Sequence, residues 1–313
     1  MHKRDLPWRR TKDPYAIWIS EIMLQQTQIA TGLPYYERWM IRFPTVESLA
    51  IAEEEQAMSV WQGLGYYRRC RMLHRAARVV AGQGFPTSHS KWLEVPGVGR
   101  YTAAAIASIC LNEPTAVVDG NVERVYARMS CDGATGSRLK TNTWVWADKH
   151  LYKEQPGEWN QAVMELGATV CKPSKPDCPV CPVSQNCVAF QTNRTSEFPT
   201  PKPKPTIIKY TEEILILLVE DEIGVVENHE LKWWKGLSLL PLASTFSHIS
   251  STGWLEDLGE IQYTVTNHKI TAVISLARLH VKPDGLTWVH RNNLDQVPLP
   301  APHRKAIQLL YKT

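Results

Sequence analysis

At 313 residues the chain is longer than a single core usually organises, so two domains are expected. With 43% hydrophobic and 21% charged residues it is neither disordered nor fibrous, and it lacks any run of about eighteen uncharged apolar residues that would mark a membrane span. The start MHKRDLPWRR also lacks a signal-peptide core, so an intracellular, reducing compartment with no membrane partner is expected, while a net charge of +4 leaves nucleic-acid binding open.

Residues 14 to 190 read as mostly helical, because apolar positions recur every three or four residues in PYAIWISEIMLQQ, VESLAIAEEEQAMSVW and YTAAAIASIC. Arg68, Arg69, Arg71, Arg75 and Arg78 fall within eleven residues that contain no acid. Positions 68, 71, 75 and 78 share one helical face, which suits either phosphate neutralisation or plain solvation. The stretch VPGVGRY, with Pro96, Gly97, Val98 and Gly99 at its centre, reads as a glycine hairpin between two helices. Its glycines allow close backbone approach to a phosphate, and the free amides opening the next helix would bind it. A lone PGVG is more often only a turn. From 191 to 209, QTNRTSEFPTPKPKPTIIK reads as a proline-rich linker. Beyond it EILILLVE, GEIQYTVTNH and KITAVISLARLHV read as strands and HRKAIQLLYK as a short helix, giving an α+β domain over 210–313.

Four of the seven cysteines, Cys171, Cys178, Cys181 and Cys187, lie in seventeen residues with the spacing C-x6-C-x2-C-x5-C. Without secretion a disulfide framework is not expected, so this is a thiolate metal site, for which zinc and an iron–sulfur cluster are both chemically suitable. Cys70, Cys110 and Cys131 stand alone and read as small buried hydrophobes.

RDLPWR at 4–9, SEIMLQQTQ at 20–28, GLGYYRR at 63–69, VVDGNV at 117–122 and ELGATVC at 165–171, with the hairpin ending twenty residues before Asp119, resemble the helix-hairpin-helix glycosylases. Within that superfamily, which includes the endonuclease III enzymes, the chain is most similar to the MutY-type adenine glycosylases. The resemblance implies an all-α glycosylase domain with one [4Fe–4S] cluster on the four spaced cysteines, over residues 1–190, followed by an α+β MutT/Nudix-like domain. It implies excision of adenine opposite 8-oxoguanine or guanine in double-stranded DNA, by a monomer whose repair or replication partners are not specified. The compartment would be the nucleus or mitochondrion of a eukaryote, or the cytoplasm of a bacterium.

By the same resemblance Glu21 is the general acid and Asp119 the catalytic carboxylate. The chemistry requires such a pair, since adenine is a poor leaving group until protonated and the deoxyribose gains positive charge as it departs. Tyr101 stands where endonuclease III relatives have a Schiff-base lysine, Asn121 matches an asparagine at the same centre, and Glu123 stands where some relatives carry a lysine. A monofunctional enzyme is therefore expected. Gln26 and Tyr66 match residues inserted into the duplex around the lesion pair. Arg4, Trp8, Arg9, Leu24 and Gln161 match the adenine pocket, and Pro96 to Gly99 the DNA-backbone hairpin.

In the second domain no Nudix box is present, and alignment places the lesion-reading loop at Val265, Thr266 and Asn267. Phe246, Ser247 and His248 then form a decoy of the family's Phe-Ser-His loop. The chain begins three residues before RDLPWR, which suggests a short amino terminus, and no cysteine follows Cys187 to build a further zinc site. The rival readings are a glycosylase-lyase acting on oxidised pyrimidines, disfavoured by Tyr101, and an inactive DNA-binding scaffold, disfavoured by Glu21 with Asp119.

Overall fold

The computed structural model describes residues 4–201, 203, 205–228, 233–246 and 255–311. Two compact units divide the chain: Met1–Ala52 with Arg68–Pro203, and Glu53–Tyr67 with Lys204–Thr313.

The first unit is helical. It holds α1 (Pro14–Met23), α2 (Ile29–Arg42) and α3 (Val46–Ala50), while α4 (Glu54–Trp61) belongs to the second unit. The first unit then continues through α5 (Arg68–Gln83), α6 (His89–Leu93), α7 (Arg100–Cys110), α8 (Gly120–Ser130), α9 (Gly136–His150), α10 (Pro156–Thr169) and α11 (Val188–Gln191). The helical rhythm over 46–61 is thus split between two helices. Ile51 caps α3, and Glu53 opens α4 with its backbone N–H bonded to the Gln56 side chain, so two local capping signals override one continuous apolar rhythm.

Helix α1 starts where the Asp13 carboxylate accepts the amides of Tyr15 and Ala16, and it is buried from Tyr15 to Met23. Helix α7, rich in alanine, is buried from Thr102 to Ile109. Small residues let its neighbours approach closely: a Cβ on Gly157 of α10 would sit 2.7 Å from Ile109 Cα. Buried Asn160 of α10 accepts the Val117 amide at 3.1 Å and donates to Ser108 Oγ and Thr115 O, which fixes the extended segment leading to Asp119. The proline-rich stretch from Thr192 to β1 at Ile208 is irregular among the described residues, yet its first part is packed. Phe198 is buried beside Ala127 and Leu139, and Thr200 donates to Gly133 O.

The second unit is built on a mixed sheet of β1 (Ile208–Val219), β2 (Glu222–Glu227), β3 (Ser238–Leu239), β4 (Leu255–Val265), β5 (His268–Arg278) and β6 (Thr287–His290). The order is β3-β2-β1-β5-β4 with β6 on β2, and only the β1–β5 pairing is parallel. Ile214, Ile216 and Leu218 of β1 face one core with a last helix, Ala301–Leu309, while Leu215 and Leu217 face another. Burial on both faces explains why EILILLVE reads as a continuous apolar run. Within this unit Gln62, just after α4, donates to Val297 O and Leu299 O.

Candidate active site and thiol loop

Asp119 is the N-cap of α8: its Oδ1 accepts the amides of Asn121 at 2.9 Å and Val122 at 2.8 Å, and its Oδ2 accepts Asn121 Nδ2 at 2.7 Å. An Asp before Gly here serves as a helix cap. Burial raises its pKa, while these three donors act in the opposite direction. Glu21 on α1 is buried too, contrary to the usual solvated place of a lone Glu on a helix. Desolvation lifts its pKa to about 7; the Tyr101 hydroxyl lowers it, the Asp119 charge raises it and the Arg9 charge lowers it. The same Tyr101 hydroxyl lies 3.6 Å from Met164 Sδ. One carboxyl that holds its proton beside one whose oxygens are met by three donors is an arrangement that separates an acid from a charge stabiliser.

The structure gathers Glu21, Tyr101, Asp119, Asn121 and Arg9 around one centre. Trp8 is buried edge-on to Tyr36 at 5.0 Å, Leu24 packs where a side chain on Gly32 would lie, and Gln161 donates to Gly157 O of its own helix. Arg4 and Arg9 both bond Glu165, a buried acid on α10 that sequence reasoning passed over. Gln26, at φ 56°, and Tyr66, at φ 50° and 59% exposed, both hold the left-handed backbone that non-glycine residues seldom adopt. Tyr66 falls in the second unit.

The hairpin forms as expected between α6 and α7, pinned by buried Val95 and Val98. Gly97 has φ +80°, and a Cβ there would meet Met72 Cβ at 2.9 Å, so this position requires glycine. Gly99 opens α7 without a side-chain cap, which leaves the first-turn amides free of an intrahelical partner. On α5, Arg68, Arg75 and Arg78 are exposed, but Arg69 turns inward and donates to Ile22 O at 2.8 Å and to Met23 O and Gln25 O. It caps the end of α1, on a different face from Arg68, Arg75 and Arg78.

Cys171, Cys178, Cys181 and Cys187 line one pocket, partly open to solvent, together with Arg128 and Phe190. Among the described residues no three His, Cys, Asp or Glu side chains are arranged to hold a single metal ion. Of the isolated cysteines Cys70 is buried, while Cys110 and Cys131 are partly exposed. Two arginines of α8 tie the thiol loop down. Arg128 donates to Lys172 O, Pro173 O and Phe198 O, and approaches Cys171 Sγ at 3.3 Å. Arg124 donates to Cys171 O, Gly167 O and Asn121 Oδ1 at 2.7–2.8 Å, so it joins the loop to the asparagine that holds Asp119. Their i, i+4 spacing directly after Asp119 was the available sequence signal.

In the second unit Thr266 and Asn267 form the two-residue turn between β4 and β5, Val265 pairing with His268. Thr266 is exposed at φ 56°, a strained conformation for a β-branched residue, and Asn267 commits its amide to Thr206 O at 2.8 Å. Phe246 is buried; Ser247 and His248 lie outside the described residues.

A family model described as HhH-GPD superfamily base excision DNA repair protein matches residues 19–147. An adenine DNA glycosylase of Arabidopsis thaliana is 43% identical over 243 residues, covering 66% of this chain and 39% of its own length. One of Buchnera aphidicola subsp. Acyrthosiphon pisum is 32% identical over 246 residues, covering 76% of this chain and 70% of its own. Among solved structures, a thermostable thymine-DNA glycosylase aligns with a TM-score of 0.55 at 29% identity, over 60% of this chain and 89% of that one. No helix of the described residues is long and apolar enough to cross a membrane.

Proposed function

This chain belongs to the adenine DNA glycosylases of the helix-hairpin-helix base excision repair superfamily, and on that premise we propose that it removes adenine paired with 8-oxoguanine or guanine in double-stranded DNA. The observation that carries this reading is the buried pair of carboxyls: Glu21, protonated up to about pH 7, and Asp119, held by three hydrogen-bond donors. Glu21 gives its proton to a ring nitrogen of adenine, and the electron pair of the C1′–N bond leaves with the base. Asp119 stabilises the positive sugar, and water adds at C1′ to leave an abasic site. Tyr101 carries no amine to form a Schiff base, so the reaction stops there and the enzyme is monofunctional.

Adenine leaves the stack to reach this pair, with Gln26 and Tyr66 entering the duplex and Arg4, Trp8, Arg9, Leu24 and Gln161 forming the pocket. The hairpin 96–99 and the free amides of α7 bind backbone phosphate. Cys171, Cys178, Cys181 and Cys187 would hold one [4Fe–4S] cluster, whose irons would neutralise four thiolates and staple the loop to α8. The fit rests on four soft sulfur donors that line one pocket. The sheet unit acts as a MutT/Nudix-like reader of 8-oxoguanine through Thr266 and Asn267, and the helical unit as the glycosylase. The protein works as a monomer, in the nucleus or mitochondrion of a eukaryotic source or the cytoplasm of a bacterial one.

The test is excision on duplexes with adenine opposite 8-oxoguanine, guanine or thymine, with and without alkali. Strand breaks that need alkali, and that form on the first two duplexes, are expected. Breaks without alkali would show lyase chemistry, and no breaks on any duplex would refute the reading.

A further inference from the structure

Glu165 lies on α10, buried, 156 residues from Arg9 and 161 from Arg4 in sequence, yet it accepts four hydrogen bonds from those two arginines. The Arg4 backbone N–H, Nε and Nη2 approach it at 3.0, 2.8 and 2.6 Å, and Arg9 Nη2 at 2.6 Å. Arg9 also donates Nη1 to Arg4 O at 3.2 Å, closing the segment on itself around Trp8. The side chain of Arg9 is only 9% exposed, so solvent screens its charge poorly.

We propose that Glu165 is a positioning residue of the active site, clamping the Arg4–Arg9 segment to α10 as a wall of the base pocket and cancelling the Arg9 charge beside Glu21. The inference rests on Glu21 being the acid. The groups facing Glu21 are the Tyr101 hydroxyl and Cys110 thiol of α7, Asp119 before α8, and Arg9. Arg9 is the one cation in that set, and it opposes the burial that keeps Glu21 protonated. The Glu165 carboxylate bonded to Arg9 offsets that opposition. Glu165 is itself held as an anion far down the pH scale, to about 2, because its two arginines outweigh its burial. It therefore keeps its charge through the range in which Glu21 must hold a proton.

The test is the pH dependence of single-turnover adenine excision by the full chain, comparing wild type, E165Q and R9M/E165Q. In wild type the rate should fall on the alkaline side as Glu21 loses its proton. E165Q should move that fall down by about one pH unit, making the loss roughly ninefold at pH 8 against about twofold at pH 6. R9M/E165Q should return the fall to its wild-type pH while the rate stays low at every pH. An equal loss at all pH values in E165Q, with the fall unmoved, would mean a merely structural role and overturn the proposal. If E165Q does not fold, R9M alone serves: removing the cation should move the fall upward, and an unmoved fall overturns the proposal. E21Q separates the two readings. If E21Q keeps the wild-type fall, the acid assignment is lost and this inference with it; if E21Q abolishes a fall that E165Q leaves in place, only this inference is lost.

Discussion

Asn121 donates its side-chain amide to Asp119 at 2.7 Å, while Asp119 caps the helix on which Asn121 sits. The Asp119 carboxylate and the start of α8 thus hold each other, and a change at either end is felt by both.

Asp119→Asn keeps an acceptor for the backbone amides but sets an amide against the Asn121 amide and removes the negative charge. Adenine excision should fall by at least about a hundredfold with duplex binding nearly unchanged. Single-turnover rates beside equilibrium binding check this; an excision rate near wild type would remove Asp119 from the mechanism. Asp119→Ala should additionally cost about 1 kcal/mol of stability through the lost cap.

Glu21 is destabilising where it must ionise. Its pKa is about 7 in the folded chain against 4.5 in the unfolded one, so between these values the unfolded chain releases a proton that the folded chain retains. Stability is therefore undiminished below about pH 4.5 and declines as pH rises toward 7, by roughly 3 kcal/mol in all. Glu21→Gln should raise Tm at pH 8 and much less at pH 5, while abolishing excision. Melting curves at the two pH values are sufficient, and an equal gain at both would contradict the buried-acid assignment.

Arg124→Met leaves Cys171 O, Gly167 O and Asn121 Oδ1 without their donor. Purified protein should be yellow-brown in wild type and paler in the variant, with iron per chain and excision rate falling together. Stability should drop by roughly 3 kcal/mol. Iron analysis after anaerobic purification decides it: one tightly bound zinc per wild-type chain with negligible iron would overturn the cluster assignment.

Thr266→Ala and Asn267→Ala should each narrow the preference for 8-oxoguanine over guanine opposite adenine, while Ser247→Ala and His248→Ala should leave it intact. Thr266→Asn, which tolerates φ 56° better, should raise Tm by about 1 kcal/mol equivalent while losing discrimination. Excision rates on both duplexes give the answer, and discrimination lost only through Ser247 or His248 would relocate the loop.

Much of this was legible in the chain because it depends on local rules. Asp before Gly caps α8, Pro-Gly-Val-Gly turns between helices, and alternating β-branched residues form β4 and β5. What stayed hidden depends on distant partners. Nothing near Glu165 shows that Arg4 and Arg9 end on it, and nothing near Arg69 shows that it closes the carbonyls at the end of α1. The break between Ala50 and Glu54 was hidden differently: its capping box is written in the sequence, but an unbroken apolar rhythm runs across it.

That break has a consequence for how the protein is made. Residues 53–67 are compact with 204–313, so a segment synthesised early finds its Val297 and Leu299 acceptors only when the last part of the chain has left the ribosome. The helical unit must be assembled from two stretches around a waiting insert. A cut near residue 200 would therefore not separate two finished domains, because it would strand α4 and Gln62 without the sheet unit to which they belong.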